Sequence, residues 1–136
     1  PLCAQAGFAV TVVDDREAFA NEDRFPDADR ILVAPFMESF EQLHIQENTW
    51  LVIMTREHKW DQQVLRRCMD HEFRYLGMMG SKSKVGLFRK RLLEDGVPED
   101  KVDRVHMPIG VPIRSKTPFE IACSVVTQVI DEKNRG

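Results

Sequence analysis

Paired cysteines, a basic surplus and long apolar runs are all missing from this sequence, and each absence removes a class of function. Its three cysteines, Cys3, Cys68 and Cys123, form no CxxC pair, so neither a disulfide framework nor a cysteine-held zinc site is indicated. An odd set of thiols, two of them on apolar helix faces, suits a reducing cytosol, and a cytoplasmic location is expected. Nineteen Lys and Arg against 22 Asp and Glu give a net charge of -3; nucleic-acid-binding domains usually carry a basic excess, so no such partner is expected. No apolar run approaches the roughly 20 residues of a membrane helix. No signal-peptide pattern is read at the start, and no membrane association is expected.

The signatures of a self-contained catalyst are missing too. There is no GxSxG elbow, no HExxH or HxxxH spacing, and neither a Walker A loop nor GxGxxG, while the acids are scattered without pairing. No catalytic residue and no metal site are assigned, and the composition favours a binding domain over a hydrolase.

What is present is one domain's worth of chain, residues 1–136 with 43% hydrophobic side chains. Pro1 opens directly into a helical turn, Leu2 to Ala6, closed by Gly7; this predicts a chain that begins partway through its domain, with a first strand upstream. Phe8 to Asp14, Arg30 to Val33, Trp50 to Met54 and Tyr75 to Met79 are short, nearly unbroken apolar runs, the pattern of strands buried on both faces of a parallel sheet. Between them, Phe36, Phe40 and Leu43 share one helix face and Val64, Leu65, Cys68 and Met69 another. Strand and helix alternate, so the fold expected is α/β: a Rossmann-like three-layer domain with a mainly parallel sheet.

Two later helices carry explicit start signals. Ser81 caps one with apolar positions Val85, Phe88 and Leu92, closed by Gly96 and Pro98. Thr117, Pro118 and Glu120 supply the cap, first-turn proline and capping-box acid of the other, which should bury Ile121, Ala122, Val125, Val126 and Val129. His106 to Lys116 lacks periodicity and reads as a loop between helices.

The strongest chemical signal is YLGMMGSKSK, where a strand ends in Gly77 and Gly80 and a helix begins at Ser81. Such a turn brings backbone N–H groups close to a ligand, and the helix N-terminus favours an anion such as phosphate. Lys82 and Lys84 oppose the macrodipole of their own helix by roughly 0.3–1 kcal/mol each, a penalty that a bound anion would convert to attraction. The bland alternative is a solvated helix with indifferent charge placement. Asp14, at a strand end, stands where dinucleotide-binding folds place the ribose acid, although a carboxylate there is common for other reasons. TREHKWD follows a buried strand, so His58 and Lys59 fall on the carboxyl edge of a parallel sheet, available to a polar or anionic ligand or simply solvated beside a helix capped by Asp61. His106 opens the loop that would bring a second imidazole to the same edge.

Together FAVTVVDDREAFANEDRFPDAD, VIMTREHKWDQQVLRRC, YLGMMGSKSKV and HMPIGVPIRSKTPFEIACSVVTQVI resemble the carboxyl-terminal Rossmann-like domain of the XdhC/CoxI family, over nearly the whole chain and in one order. The resemblance implies an accessory factor, a chaperone more than a catalyst, that binds the molybdenum cofactor (molybdopterin) during maturation of a molybdenum hydroxylase such as xanthine dehydrogenase. It implies the hydroxylase as partner, a cysteine desulfurase as a further one, and a homodimer. Cofactor contacts would then come from Asp14, His58, Lys59, Gly77, Gly80, Ser81, Lys84, His106, Pro108 and Gly110, with phosphate on Ser81 and Lys84. Two alternatives stand beside it: an NAD(P)-binding oxidoreductase domain using Asp14, and a dimerisation or docking scaffold without ligand. Glu57 departs from the family pattern at a glycine, and Pro112 with Arg114 depart from its LxIGA stretch, leaving the last loop's shape open.

Overall fold

The β-branched and aliphatic runs form short strands and the intervening amphipathic stretches form helices. The computed structural model describes residues 1–55 and 57–135, the side chain of His58 excepted. Among the described residues there are five strands, and every pairing is parallel. The chain divides into two compact units, Pro1–Gln42 with the stretch from Gly110 onward, and Leu43–Ile109.

In the first unit, helix α1 (Leu2–Gln5) leads to β1 (Thr11–Asp14) and β2 (Arg30–Val33), paired from Thr11 with Arg30 to Asp14 with Val33. The first apolar run is shorter as a strand than its sequence predicts. Phe8 N–H donates to Cys3 O at 3.1 Å, closing the turn of α1, and only four residues of β2 are there to pair. Helix α2 (Phe36–Ser39) buries Phe36 as expected, with buried Phe40 just beyond it, but it stops after four residues. Beyond it, Glu41 and Gln42 make tight turns back to Glu38 and Ser39, so no face extends to Leu43.

Helix α6 (Pro118–Asn134) starts as its sequence predicts. Glu120 N–H donates to Thr117 Oγ1 at 3.2 Å, while Glu120 Oε1 accepts from the Thr117 and Lys116 amides at 3.0 and 2.8 Å. Of its apolar positions Val125 and Val129 are buried, whereas Ile121, Ala122 and Val126 are half-buried. Buried Ser124 takes part in the fully covered face because the loop before α6 is laced to it: Ser124 Oγ donates to Val111 O at 2.6 Å, and the Gln128 side chain bonds the Gly110 N–H at 3.0 Å and the Gly110 carbonyl at 3.2 Å.

In the second unit, the strand order is β3 (Trp50–Ile53), β4 (Tyr75–Met78), β5 (Val105–His106). Helix α3 (His58–Cys68) connects β3 to β4; α4 (Lys82–Glu94) and α5 (Glu99–Asp103) connect β4 to β5. All four residues of central β4 are buried, as its unbroken apolar run predicts. Leu65, Cys68 and Met69 are buried together with Phe88 and Leu92, and burial pushes the Cys68 thiol up to about 12. The expected loop between helices is corrected at its start. His106 is not a loop residue: Val105 and His106 form a strand beside Leu76 and Gly77. Two residues carry no periodicity, and the pairing is made with the second hydrogen-bonding edge of β4 rather than announced by local propensity. Helix α5, five residues started by Pro98 with Glu99 and Asp100 in its first turn, likewise lies within a stretch too short to read.

Arg114 stands at φ 58, a left-handed conformation that L side chains rarely adopt, at the position where the family pattern carries glycine. Arg114→Gly is therefore expected to raise stability by roughly 0.5–1 kcal/mol, measured as a higher urea midpoint; a lower midpoint would show that the arginine side chain compensates for its strained backbone. At the start of α6, the Lys116 and then the Thr117 amide hold the Glu120 carboxyl below its ordinary 4.5, so its contribution is fully present above that value and lost as pH falls through the lower, folded one. Wild-type stability should fall relative to Glu120→Gln below pH 4.5; parallel stability profiles across that window would contradict it.

Candidate functional site

In the second unit the carboxyl ends of β3, β4 and β5 lie side by side, since the strands are parallel and adjacent. The loops leaving them are stitched together: Met79 N–H donates to Ile53 O at 3.0 Å and Ile109 N–H to Met78 O at 2.9 Å. Both α3 and α4 begin at this edge, because a helix crossing back between parallel strands starts where the first strand ends. The segments that follow the three strands therefore share one rim, which in open α/β sheets is the ligand-binding side.

The β3 loop is held by a buried acid. Asp61, 6% exposed, accepts from the Thr55 amide at 2.9 Å and from the Thr55 hydroxyl at 2.6 Å. It is thus a clasp for the loop rather than the helix cap; the cap position is Glu57, whose side chain makes no capping bond. His58 opens α3, and its side chain lies outside the described residues. Lys59 is exposed, its ammonium 5.3 Å from the Trp60 ring centroid.

The β4 loop carries the anion-ready turn. Ser81 caps α4 as predicted, accepting from the Lys84 amide at 3.4 Å. Lys82 and Lys84 are exposed or partly so, with no acidic residue in the first turn. A Cβ placed on Gly80 would meet Lys84 and Val85 side-chain atoms at 3.9 Å, an ordinary van der Waals contact, so packing alone does not demand a glycine there. Gly77 is different. A Cβ there would fall 2.5 Å from Ile109 Cδ1 and 2.8 Å from the Tyr75 hydroxyl, so the close approach that this glycine permits is filled by protein.

At β5, His106 is half-buried and stacked on Tyr75 with ring centroids 4.7 Å apart and planes 17° apart. Pro108, exposed, follows a cis peptide bond from Met107. Among the described residues no group of three or more His, Cys, Asp or Glu side chains is arranged to hold a metal ion, and no helix is long and apolar enough to cross a membrane.

The rim thus gathers Lys59, Gly77, Gly80, Ser81, Lys84, His106, Pro108 and the backbone of His58. Asp14 and Gly110 belong to the first unit. Asp14 Oδ1 accepts from the Arg16 amide and Nε at 2.9 and 3.1 Å, and Oδ2 from Arg16 Nη2 at 3.4 Å, so both oxygens are engaged locally. Gly110 has φ 97, and a Cβ there would collide with Ser124; its glycine is required by the loop's seat on α6. A shallow groove runs along α4, lined by Gly86, Arg89, Lys90, Leu93 and Glu94, beyond the first turn and so apart from the strand ends. Sequence reasoning misses the Thr55–Asp61 clasp and the Tyr75–His106 stack. Asp61, in the first turn of α3, is legible only as a cap, and the stack needs the strand that two residues do not announce.

Parallel strands joined by helical crossovers, with a polar rim at their carboxyl ends, define a Rossmann-like α/β protein. The chain belongs to the XdhC family: its residues 1–129 match the XdhC Rossmann domain. It is 33% identical over 134 residues to the uncharacterized protein YqeB of Escherichia coli (strain K12), covering 98% of this chain and 24% of that one. It is 29% identical over 134 residues to a probable xanthine dehydrogenase subunit of Bacillus subtilis (strain 168), covering 98% and 38%. A crystal structure described as a xanthine dehydrogenase from Bacillus halodurans superposes with a TM-score of 0.84 at 32% identity, covering 98% of this chain and 38% of that chain. The chain therefore spans less than two-fifths of the length of these relatives.

The packing at Gly77 is open to test. Gly77→Ala should cost roughly 1–3 kcal/mol through overpacking, and combining it with Ile109→Ala should restore part of the loss in a double-mutant cycle. Strictly additive losses would mean that Ile109 does not occupy the space over the glycine.

Proposed function

We propose that this domain binds the molybdenum cofactor at the carboxyl rim of β3, β4 and β5, and thereby serves the maturation of a xanthine dehydrogenase-type molybdenum hydroxylase. The observation that carries the reading is the coincidence, at one rim, of a serine-capped helix start, a glycine turn at Gly80 that packing does not demand, the Lys84 side chain and a stacked imidazole at His106. The donor set suits the cofactor's two ends. A phosphate finds the first-turn amides of α4, the Ser81 hydroxyl and the Lys84 ammonium, all donors within one turn of chain. A polar pterin edge finds the His106 nitrogens.

When bound, the cofactor supplies the molybdenum chemistry that the hydroxylase later uses. The residues of this chain bind and orient. Lys84 sets the affinity by its charge, and Ser81 fixes the helix start against which the phosphate would lie. Kinship with a protein named as a probable xanthine dehydrogenase subunit supports the partner. The nucleotide alternative rested on Asp14, whose carboxylate bonds to Arg16, and no described feature of the first unit favours it.

Because Ser81 also caps α4, its loss would cost stability as well as binding, and Lys84→Glu is the cleaner variant. In the full chain it should lower cofactor retention, read as fluorescence of the oxidised pterin released on denaturation, by roughly ten- to a hundredfold. Far-UV circular dichroism should stay unchanged. Equal retention by Lys84→Glu, or tight binding of nicotinamide nucleotide without pterin by the wild type, would overturn the reading.

A further inference from the structure

Three aromatic rings lie in succession across the second unit's sheet, one from each strand. Trp50 and Tyr75 are paired in register at the starts of β3 and β4, with centroids 5.3 Å apart and planes 23° apart; the Tyr75 ring then stacks on His106 of β5. The guanidinium of Arg74 covers Trp50 at 5.1 Å. Tyr75 is 2% exposed and is locked from two further sides: its backbone is in the central strand, and its hydroxyl lies beside the space over Gly77 that Ile109 fills. His106 is held by its own backbone opposite Gly77. The imidazole itself makes no hydrogen bond with any described residue, and no buried polar side-chain atom of the described residues lacks a partner, so neither of its nitrogens is completely buried.

A histidine placed only for packing normally has a ring nitrogen bonded to protein, and one that is only solvated has no reason to be fixed. This ring is fixed by a stack and bonded by no described residue, the combination expected of a group pre-oriented for a ligand. We infer that Tyr75, backed by Trp50, is the positioning residue that holds the His106 imidazole ready to hydrogen-bond a polar heterocycle or an anion at the rim. The inference rests on the rim being a ligand site, and extends it to a buried residue that touches no ligand.

Parallel stacks of this kind contribute beyond simple area burial, and fixing a ring in advance removes the entropy of ordering it on binding. The phenol oxygen is not needed for this, whereas the flat face is. Tyr75→Phe should therefore keep the stack on His106 and Tyr75→Leu should lose it. Two measurements on the full chain separate the possibilities. Without any ligand, the His106 ring protons should show the upfield ring-current shift of a stacked imidazole in wild type and Tyr75→Phe, and lose it in Tyr75→Leu; an unshifted His106 signal in the wild type overturns the inference outright, whatever the rim binds. With molybdenum cofactor, retention should fall about tenfold in Tyr75→Leu and be rescued by Tyr75→Phe, with thermal unfolding recorded alongside to exclude loss of fold. Undiminished retention in a folded Tyr75→Leu that has lost the ring-current shift would overturn the positioning role and leave cofactor binding standing. If no variant, wild type included, retains cofactor, the proposed function fails; the second arm is then carbethoxylation of His106 by diethyl pyrocarbonate, which should be markedly altered in rate by Tyr75→Leu and unaltered by Tyr75→Phe, and an equal rate in all three proteins would overturn the inference.

Discussion

The missing side chain of Gly77 is the constraint on which the second unit's rim depends. β4 is the central strand, flanked on both sides by parallel neighbours, and Gly77 is its only residue without a side chain. Opposite it, His106 pairs in register, and above it Ile109 settles within what would be contact distance of a Cβ. That gap lets the segment after β5 fold back onto the strand, where Ile109 N–H bonds Met78 O. The third loop of the rim is thereby tied to the second. A side chain at residue 77 would push out Ile109 and disturb both Tyr75, two residues away on the same face, and the loop that follows His106.

Within the segments that carry the family resemblance, many residues are fixtures that build the backbone rather than groups offered to a ligand. Asp14 and Arg16 bond each other, with the Arg16 guanidinium over Phe19 at 3.8 Å. Asn21 accepts from the Arg24 amide, Asp61 holds Thr55, and Thr117 with Glu120 closes a capping box. Polar residues recur in such motifs because loops between parallel strands expose backbone groups that must find partners. Those left over at the rim, with donors still available among the described side chains, include Lys59, Ser81, Lys82, Lys84 and His106.

Sequence patterns made much of this legible. Unbroken apolar runs identified four strands, and cap residues identified the starts of α4 and α6, because strand burial and helix capping are local consequences of side-chain type. What stayed hidden depended on partners distant in sequence. β5 exists because β4 offers a ladder; the true ends of β1 are set by the length of β2; Gly77 and Gly110 look like ligand-facing glycines until Ile109 and Ser124 are seen against them. The parallel pairings themselves fall into two hydrogen-bonded groups rather than one, a division that strand sequences do not encode.

Charge placement at α4 connects the fold with its proposed use. The helix carries Lys82 and Lys84 in its first turn and Glu94 at its last residue, each against the sign that the peptide dipoles prefer. Nothing in packing compels the lysines: neither is buried, and the buried face is built by Phe88 and Leu92. A helix selected only for stability would favour acids in that turn. The proposed anion over Gly80 and Ser81 would reverse the lysines' part of that balance, since the same two cations and the same amides would then act on one negative group together; Glu94, at the far end, would be unaffected. The mild opposition of the two lysines to their own helix and the affinity proposed for the rim are thus two sides of one arrangement, and any folded-state stabilisation by ligand would follow from its concentration relative to its Kd.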